Sequence, residues 1–163
     1  MREEIEEGMA EEDTQKGRYL TFGLGAEVYG IEIKYVTEII GIQTITELPE
    51  CSDYVRGIIN LRGKIIPVMD VRTRFRKPFL EYNDRTCIVV IDIRGISIGL
   101  IVDRVVEVLS IDEEHLVEPP RIEKKEQNRF IKRIGKITGG VMLILDCEKL
   151  LSEEEADEIN ETI

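Results

Sequence analysis

The residues of this chain that could do chemistry are few and dispersed. His115 is the single histidine among 163 residues, and it follows Glu113 and Glu114. One imidazole excludes a histidine-rich metal site and reads as a surface or helix-end residue. Asp70, Asp92, Asp103 and Asp146 could in principle pair for acid–base work. They fall at the ends of strand-like runs, however, where aspartate commonly caps turns. Cys51, Cys87 and Cys147 lack a CxxC spacing and read as reduced thiols. No GxxxxGK[ST] or GxSxG motif occurs. Gly23-Leu24-Gly25 is a lone fragment without the helix that phosphate cradling needs. No catalytic constellation, metal site or cofactor cradle emerges, so the chain offers surfaces rather than reactive centres.

The arginines are the better signal. In the stretch Val55–Phe75, Arg56, Arg62, Arg72 and Arg74 stand in or beside apolar runs, with Arg76 just beyond. Arginine cannot be neutralised inside a core without partners. Two readings stay open: the guanidiniums decorate solvent-facing turns and pair with the acidic excess, or Arg62 stands at the rim of an apolar groove and anchors a partner by charge-assisted hydrogen bonds.

The elements that must position these residues are short strands. Leu20, Phe22 and Leu24 alternate with Thr21 and Gly23, and Val28 to Ile33 follows a tight Gly25-Ala26-Glu27 turn, which predicts a hairpin. A one-turn helix and a strand are expected over Lys34–Ile40, a strand over Thr44–Leu48, and a helical turn at Ser52–Tyr54. Further strands are expected over Gly57–Leu61 and Ile65–Asp70, with Pro67 marking an edge or bulge, then a helical turn over Val71–Phe75. Strands follow over Thr86–Ile93 and Ile96–Val102, with a mixed segment at Val105–Leu109. Ser110 and Glu113 match a capping box, predicting a short helix through Leu116, which Pro119-Pro120 stops. Strands are expected at Ile131–Ile137 and Val141–Leu145. A second capping box at Ser152–Glu155 opens a C-terminal helix.

The chain aligns with itself. Val28–Ile33 sets against Ser97–Val102 on a shift of 69 residues, which takes Val36 onto Val105, Glu38 onto Glu107 and Ile39 onto Val108. Gly63–Asp70 sets against Gly139–Asp146 on a shift of 76. One unit used twice explains both, and each copy is too small to be comfortable alone, so the two should share an apolar seam.

The balance of 22 basic against 33 acidic residues gives a net charge of −11. Such a chain is a poor generic binder of nucleic acid, and with few aromatics it lacks stacking platforms. Acidic residues crowd both termini, while basic ones gather at 56–77 and at 121–136. No apolar run is long enough to cross a bilayer and no leader segment is evident. Residues 1–17 are expected to form a disordered acidic tail, 18–151 the folded domain, and 152–163 a C-terminal helix and tail.

The run Phe22, Leu24-Gly25, Gly30-Ile31, Ile33, Val36, Glu38-Ile39, Arg56-Gly57, Asn60-Leu61-Arg62-Gly63, Pro67-Val68, Asp70 and Arg72 resembles the bacterial chemotaxis coupling proteins of the CheW family. Gly99, Val102-Asp103, Val105, Val108-Leu109, Pro119-Pro120 and Met142–Leu145 extend the likeness over about residues 18–151. The resemblance implies a mainly β fold: two pseudo-symmetric, intertwined five-stranded SH3-like barrels sharing a hydrophobic core, with the chain crossing between them near residues 80–90. It implies a non-enzymatic cytoplasmic adaptor without cofactor or metal. Such an adaptor bridges the helical hairpin tip of chemoreceptors to the regulatory domain of the histidine kinase CheA, and is recruited to the inner face of the membrane through receptors. Carried over by position, receptor contacts fall to Val36, Glu38, Ile39, Gly57, Asn60, Arg62, Gly99, Val105 and Val108, and kinase contacts to Ile45, Arg56 and Ile122. The competing readings are the regulatory domain of a CheA-type kinase and another small-barrel binding module. The first would need an ATP-binding domain upstream, and the second a basic face with stacking aromatics.

Overall fold

The computed structural model describes residues 16–49, 52–120, 129–152 and 154–157. Eleven strands are found there: β1 Arg18–Leu24, β2 Glu27–Glu32, β3 Val36–Gly41, β4 Val55–Leu61, β5 Lys64–Asp70, β6 Cys87–Ile93, β7 Ile96–Val102, β8 Arg104–Ser110, β9 Leu116–Val117, β10 Ile131–Ile137 and β11 Gly140–Leu145. A short helix α1, Val71–Arg74, follows β5, and single 3₁₀ turns form at Ile33–Tyr35, Glu113–His115 and Cys147–Lys149.

The strands make two sheets. The first runs β8-β1-β2-β11-β10-β9 and the second β3-β6-β7-β5-β4. With the two-residue β9 set aside, the orders correspond strand for strand. Each has a central hairpin (β1β2 or β6β7), an outer strand beside it, and a second hairpin joined in parallel, β2 to β11 or β7 to β5. The outer strands are exchanged: β3 follows the first hairpin but pairs with β6, and β8 follows the second but pairs with β1. This exchange intertwines the two units. The chain changes sheet at Ile33–Tyr35 and again at Asp103, whereas residues 75–86 join two strands of one sheet. The crossing expected near residues 80–90 is therefore misplaced. The outer strands swap at the two short links, not in the longer connection between β5 and β6.

The core follows the same plan. The largest buried cluster draws on both sheets and carries a row of rings, Phe22–Tyr29–Phe75–Phe130, with centroids 5.7, 5.5 and 5.3 Å apart. Offset rings at such spacing add to their area burial. A smaller cluster around Ile59, Ile66, Val68, Ile88, Val90 and Ile101 lies on the far face of the second sheet. Another around Tyr19, Ile111, Met142 and Ile144 lies on the far face of the first. Burial on both faces explains why β1 is not the half-exposed strand its alternation predicts: Thr21 is buried with its apolar neighbours.

Two further expectations change. Thr44–Leu48 reduces to a single antiparallel bridge, Thr46 with Ile58, which exchange backbone bonds of 2.9 Å. The Ser110 capping box does not form. Ser110 ends β8 opposite Arg18, the Ile111 N–H donates to the Gly17 carbonyl, and only the turn Glu113–His115 is helical. Ladder pairing, with its buried apolar face, outweighs one side-chain cap. The Ser152 box does form: the Glu155 N–H donates to Ser152 Oγ at 3.1 Å, the Ser152 N–H to Glu155 Oε1 at 3.2 Å, and 154–157 are helical. Pro67 pairs with Ile58 and stands one residue before the β5–β7 register begins at Val68, so the missing N–H interrupts no ladder.

Candidate functional site

The outer strands β3 and β8 bear most of the residues assigned to receptor contact, and each is bulged at the equivalent place. In β3, Val36 opposes Ile91 but Glu38 opposes Val90, so Thr37 is the extra residue. In β8, Val105 opposes Phe22 but Glu107 opposes Thr21, so Val106 is extra. Side chains alternate along a regular strand, which would put residues three apart on opposite faces. The bulge resets the count. Val36 and Ile39 oppose Ile91 and Val89, and Val105 and Val108 oppose Phe22 and Leu20. All four opposing residues belong to the shared core. Val36 and Val105 pack against that core, while Ile39 and Val108 continue the same apolar face into solvent at 43% and 41% exposure. The residues that follow turn the other way, Ile40 and Leu109 packing on the two smaller clusters. An apolar spacing of three within strand-like sequence is the signal that would have revealed the bulges.

Arg62 stands beside β3. It occupies, with Gly63, the two-residue turn between β4 and β5, where both residues have positive φ (52° and 85°). That is the turn whose twist suits a two-residue hairpin. Asn60 Oδ1 accepts the Gly63 N–H at 2.8 Å and holds it. Asp92, Arg94 and Gly95 repeat the device between β6 and β7. The turn carries the Arg62 guanidinium onto Glu38 in a charge-assisted hydrogen bond, which raises the Arg62 pKa. The guanidinium stands on a solvent-facing turn and pairs with an acid, as the first reading of this arginine has it. Gly57 and Gly99 are buried within the second sheet. A Cβ on Gly57, whose φ is +148°, would lie 2.1 Å from the Thr46 carbonyl oxygen, and one on Gly99 would lie 2.7 Å from Ile88 and 2.8 Å from Val68. Their role is close packing of the second sheet.

Of the residues assigned to kinase contact, Ile45 packs on the core cluster of the second sheet, next to Thr46. Arg56 precedes Gly57 on β4 and lays its guanidinium 4.7 Å from the centroid of the exposed Phe79 ring. The antiparallel Thr46–Ile58 bridge sets Ile45 toward Ile59, so Ile45 and Arg56 lie on either side of that bridge. Ile122 lies outside the described residues, as do Cys51 and residues 1–15. Phe79 and Leu80, 52% and 46% exposed, were not anticipated as surface apolars; no periodicity marks them.

The aspartates are structural. Asp70 and Asp146 each cap the turn that follows their strand, accepting from the Thr73 and Glu148 N–H groups at 3.2 Å, and Asp70 also accepts from Tyr82 Oη at 2.7 Å. Burial and that bond to a carboxylate both raise the Tyr82 pKa. Asp103 takes two bonds from Arg72 and one from the Gly25 N–H. Burial alone would raise its pKa, but these bonds and the charges of Arg72 and Arg104 outweigh burial and hold the carboxyl below its usual range. Burial, chiefly, pushes the Cys147 thiol far up, so it is not a thiolate at neutral pH. Asp112, Glu114 and His115 bring ligand atoms within 4.8 Å of one another, all exposed, at an acidic corner. Among the described residues no helix is long and apolar enough to cross a membrane.

A two-unit β scaffold with an exchanged outer strand on each side, and an apolar face continued onto those strands, defines a protein-docking module rather than a reaction vessel. The profile described as a CheW-like domain matches residues 18–155, and the chain belongs to that family. It is 33% identical to the chemotaxis protein CheW of Klebsiella aerogenes over 143 residues, covering 88% of this chain and 86% of that one. To the chemotaxis protein CheW of Treponema pallidum it is 32% identical over 144 residues, covering 86% and 85%. Among solved structures, the scaffolding protein TtCheW from Thermoanaerobacter tengcongensis superposes with a TM-score of 0.78 at 35% identity, covering 85% of this chain and 96% of that one.

Proposed function

We propose that this protein is a chemotaxis adaptor that couples the cytoplasmic hairpin tips of chemoreceptors to the histidine kinase CheA, without catalysing a reaction itself. Membership of the CheW-like family supports the class of function. The observation that carries the docking surface is the pair of bulged outer strands. They continue the apolar face of the shared core through Val36 and Ile39, and through Val105 and Val108, to the surface, with the Arg62–Glu38 pair at one margin.

An amphipathic helical hairpin suits such a surface. Its apolar stripe would cover Ile39 and Val108, and its polar flank would meet Arg62, Glu38 and Asn60. Gly57 and Gly99 contribute by letting the second sheet close under that surface. Ile45 and Arg56, on either side of the Thr46–Ile58 bridge, are proposed for the kinase regulatory domain, as is Ile122. The protein works in the cytoplasm and reaches the inner face of the membrane through receptors.

The test is co-purification with CheA and with a receptor cytoplasmic fragment. Binding to both is expected. Binding to neither rejects the assignment, and binding to CheA alone rejects the receptor surface.

A further inference from the structure

Each bulge is secured by one threonine hydroxyl, and the two hydroxyls come from opposite sides of equivalent ladders. At the first bulge Thr37, the extra residue of β3, donates its Oγ1–H to the Val90 carbonyl at 3.1 Å. At the second the extra residue is Val106, which has no hydroxyl. The group comes instead from across the ladder. Thr21 of β1 donates to the Glu107 carbonyl at 2.8 Å and accepts the Glu107 N–H at 3.0 Å. On the 69-residue shift of the repeat, Thr37 corresponds to Val106 and Thr21 to Val90. The same place in the fold is therefore satisfied twice by exchanged residue types.

Thr21 is only 1% exposed and stands in β1 between the buried Leu20 and Phe22. A valine would be nearly isosteric and would suit the apolar surroundings. The hydroxyl is what answers the two Glu107 backbone groups at the bulge. If the bulge slipped by one residue, every side chain beyond it would change face. Val108 would turn from the shared-core face to that of Leu109.

We infer that Thr21 and Thr37 are positioning residues for partner recognition: their hydroxyls hold the bulges that keep Val105 with Val108, and Val36 with Ile39, on one face of the outer strands. This rests on the proposal that those four residues meet the receptor hairpin. Thr21 is buried and does not touch the partner, and Thr37 spends its hydroxyl proton on the Val90 carbonyl.

The experiment is calorimetric titration of the full chain with a chemoreceptor cytoplasmic hairpin-tip fragment, paired with amide exchange at Glu107. Thr21→Val is expected to speed exchange at Glu107 and to weaken binding about tenfold, the scale of one buried backbone pair left unmet. Thr21→Ser should bind as the unmodified chain does. The double variant Thr21→Val with Val106→Thr recreates the β3 arrangement on β8, with its hydroxyl aimed across the ladder at the residue-21 carbonyl, and should recover affinity. Thr37→Val, at an exposed position, should weaken binding without unfolding the chain, so the inference stays testable even if Thr21→Val fails to fold. Unchanged affinity in folded Thr21→Val and Thr37→Val overturns the inference. A folded double variant that does not regain affinity overturns it too. If the unmodified chain does not bind the fragment, the receptor proposal itself fails and this inference falls with it.

Discussion

Arg72 closes two hydrogen bonds on Asp103, Nε to Oδ1 at 2.7 Å and Nη2 to Oδ2 at 2.6 Å, at the residue where the chain leaves the second sheet for the first. The Gly25 N–H, from the β1–β2 turn of the first sheet, donates to the same carboxylate at 2.7 Å. One aspartate thereby ties together α1, the crossover and the opposite hairpin. Fork-to-carboxylate geometry and low exposure of both side chains (15% and 14%) make this pair stronger than a surface bridge.

Asp103→Asn is expected to cost about 1–3 kcal/mol, less than a fully buried pair because some solvent contact remains. The sign with pH follows from a depressed carboxyl pKa. The stabilisation is fully present above the ordinary aspartate value of about 3.9 and is lost as pH falls through the lower folded-state value. Urea titrations of both proteins from neutral to acidic pH should therefore show a stability gap that narrows below pH ~4. A gap that persists unchanged into acid would assign the loss to packing instead.

Gly57→Ala is expected to act through the fold. Its Cβ would stand 2.1 Å from the Thr46 carbonyl oxygen at a φ of +148°, so the bridge that joins residue 46 to β4 must open. A loss of about 2–4 kcal/mol is expected from strain and overpacking together. Thermal unfolding measures it. A variant with native stability but impaired receptor binding would show that Gly57 meets the partner directly.

Arg62→Asp should leave the melting temperature nearly unchanged, because the side chain is 72% exposed and aspartate tolerates the left-handed turn. It should weaken binding of the receptor fragment by about tenfold or more if a desolvated acceptor waits on the partner. The double exchange Arg62→Glu with Glu38→Arg restores the internal pair but not the field that the partner meets. Recovery of affinity in that double variant would assign Arg62 to holding Glu38 in place.

Much of this was legible in the chain. The 69- and 76-residue shifts gave two related units and a shared seam, and both shifts map onto strand-for-strand equivalence between the sheets. The hairpins were legible because alternation and glycine turns are local signals. The exchange of β3 and β8 was not, since strand pairing across the molecule leaves no local trace. Ser110 misled because a cap motif says nothing about whether a ladder claims the residue first. Gly57 and Gly99 were taken with the surface they support; a glycine's sequence position does not tell whether a neighbour presses on it from inside. Arg62 pairs with Glu38, which stands on the strand that the repeat alignment had already singled out.

The central claim is that Ile39 and Val108, brought to one face of their strands by the bulges, form the apolar floor on which receptor helices lie. Each is about two-fifths exposed, so an aspartate there leaves the core intact. The most direct measurement is the affinity of Ile39→Asp and Val108→Asp for a chemoreceptor hairpin-tip fragment, with circular dichroism to verify folding. Both variants are expected to stay folded and to lose at least about tenfold in affinity, the cost of an unpaired charge facing an apolar stripe. Two folded variants that bind as tightly as the unmodified chain would contradict the account.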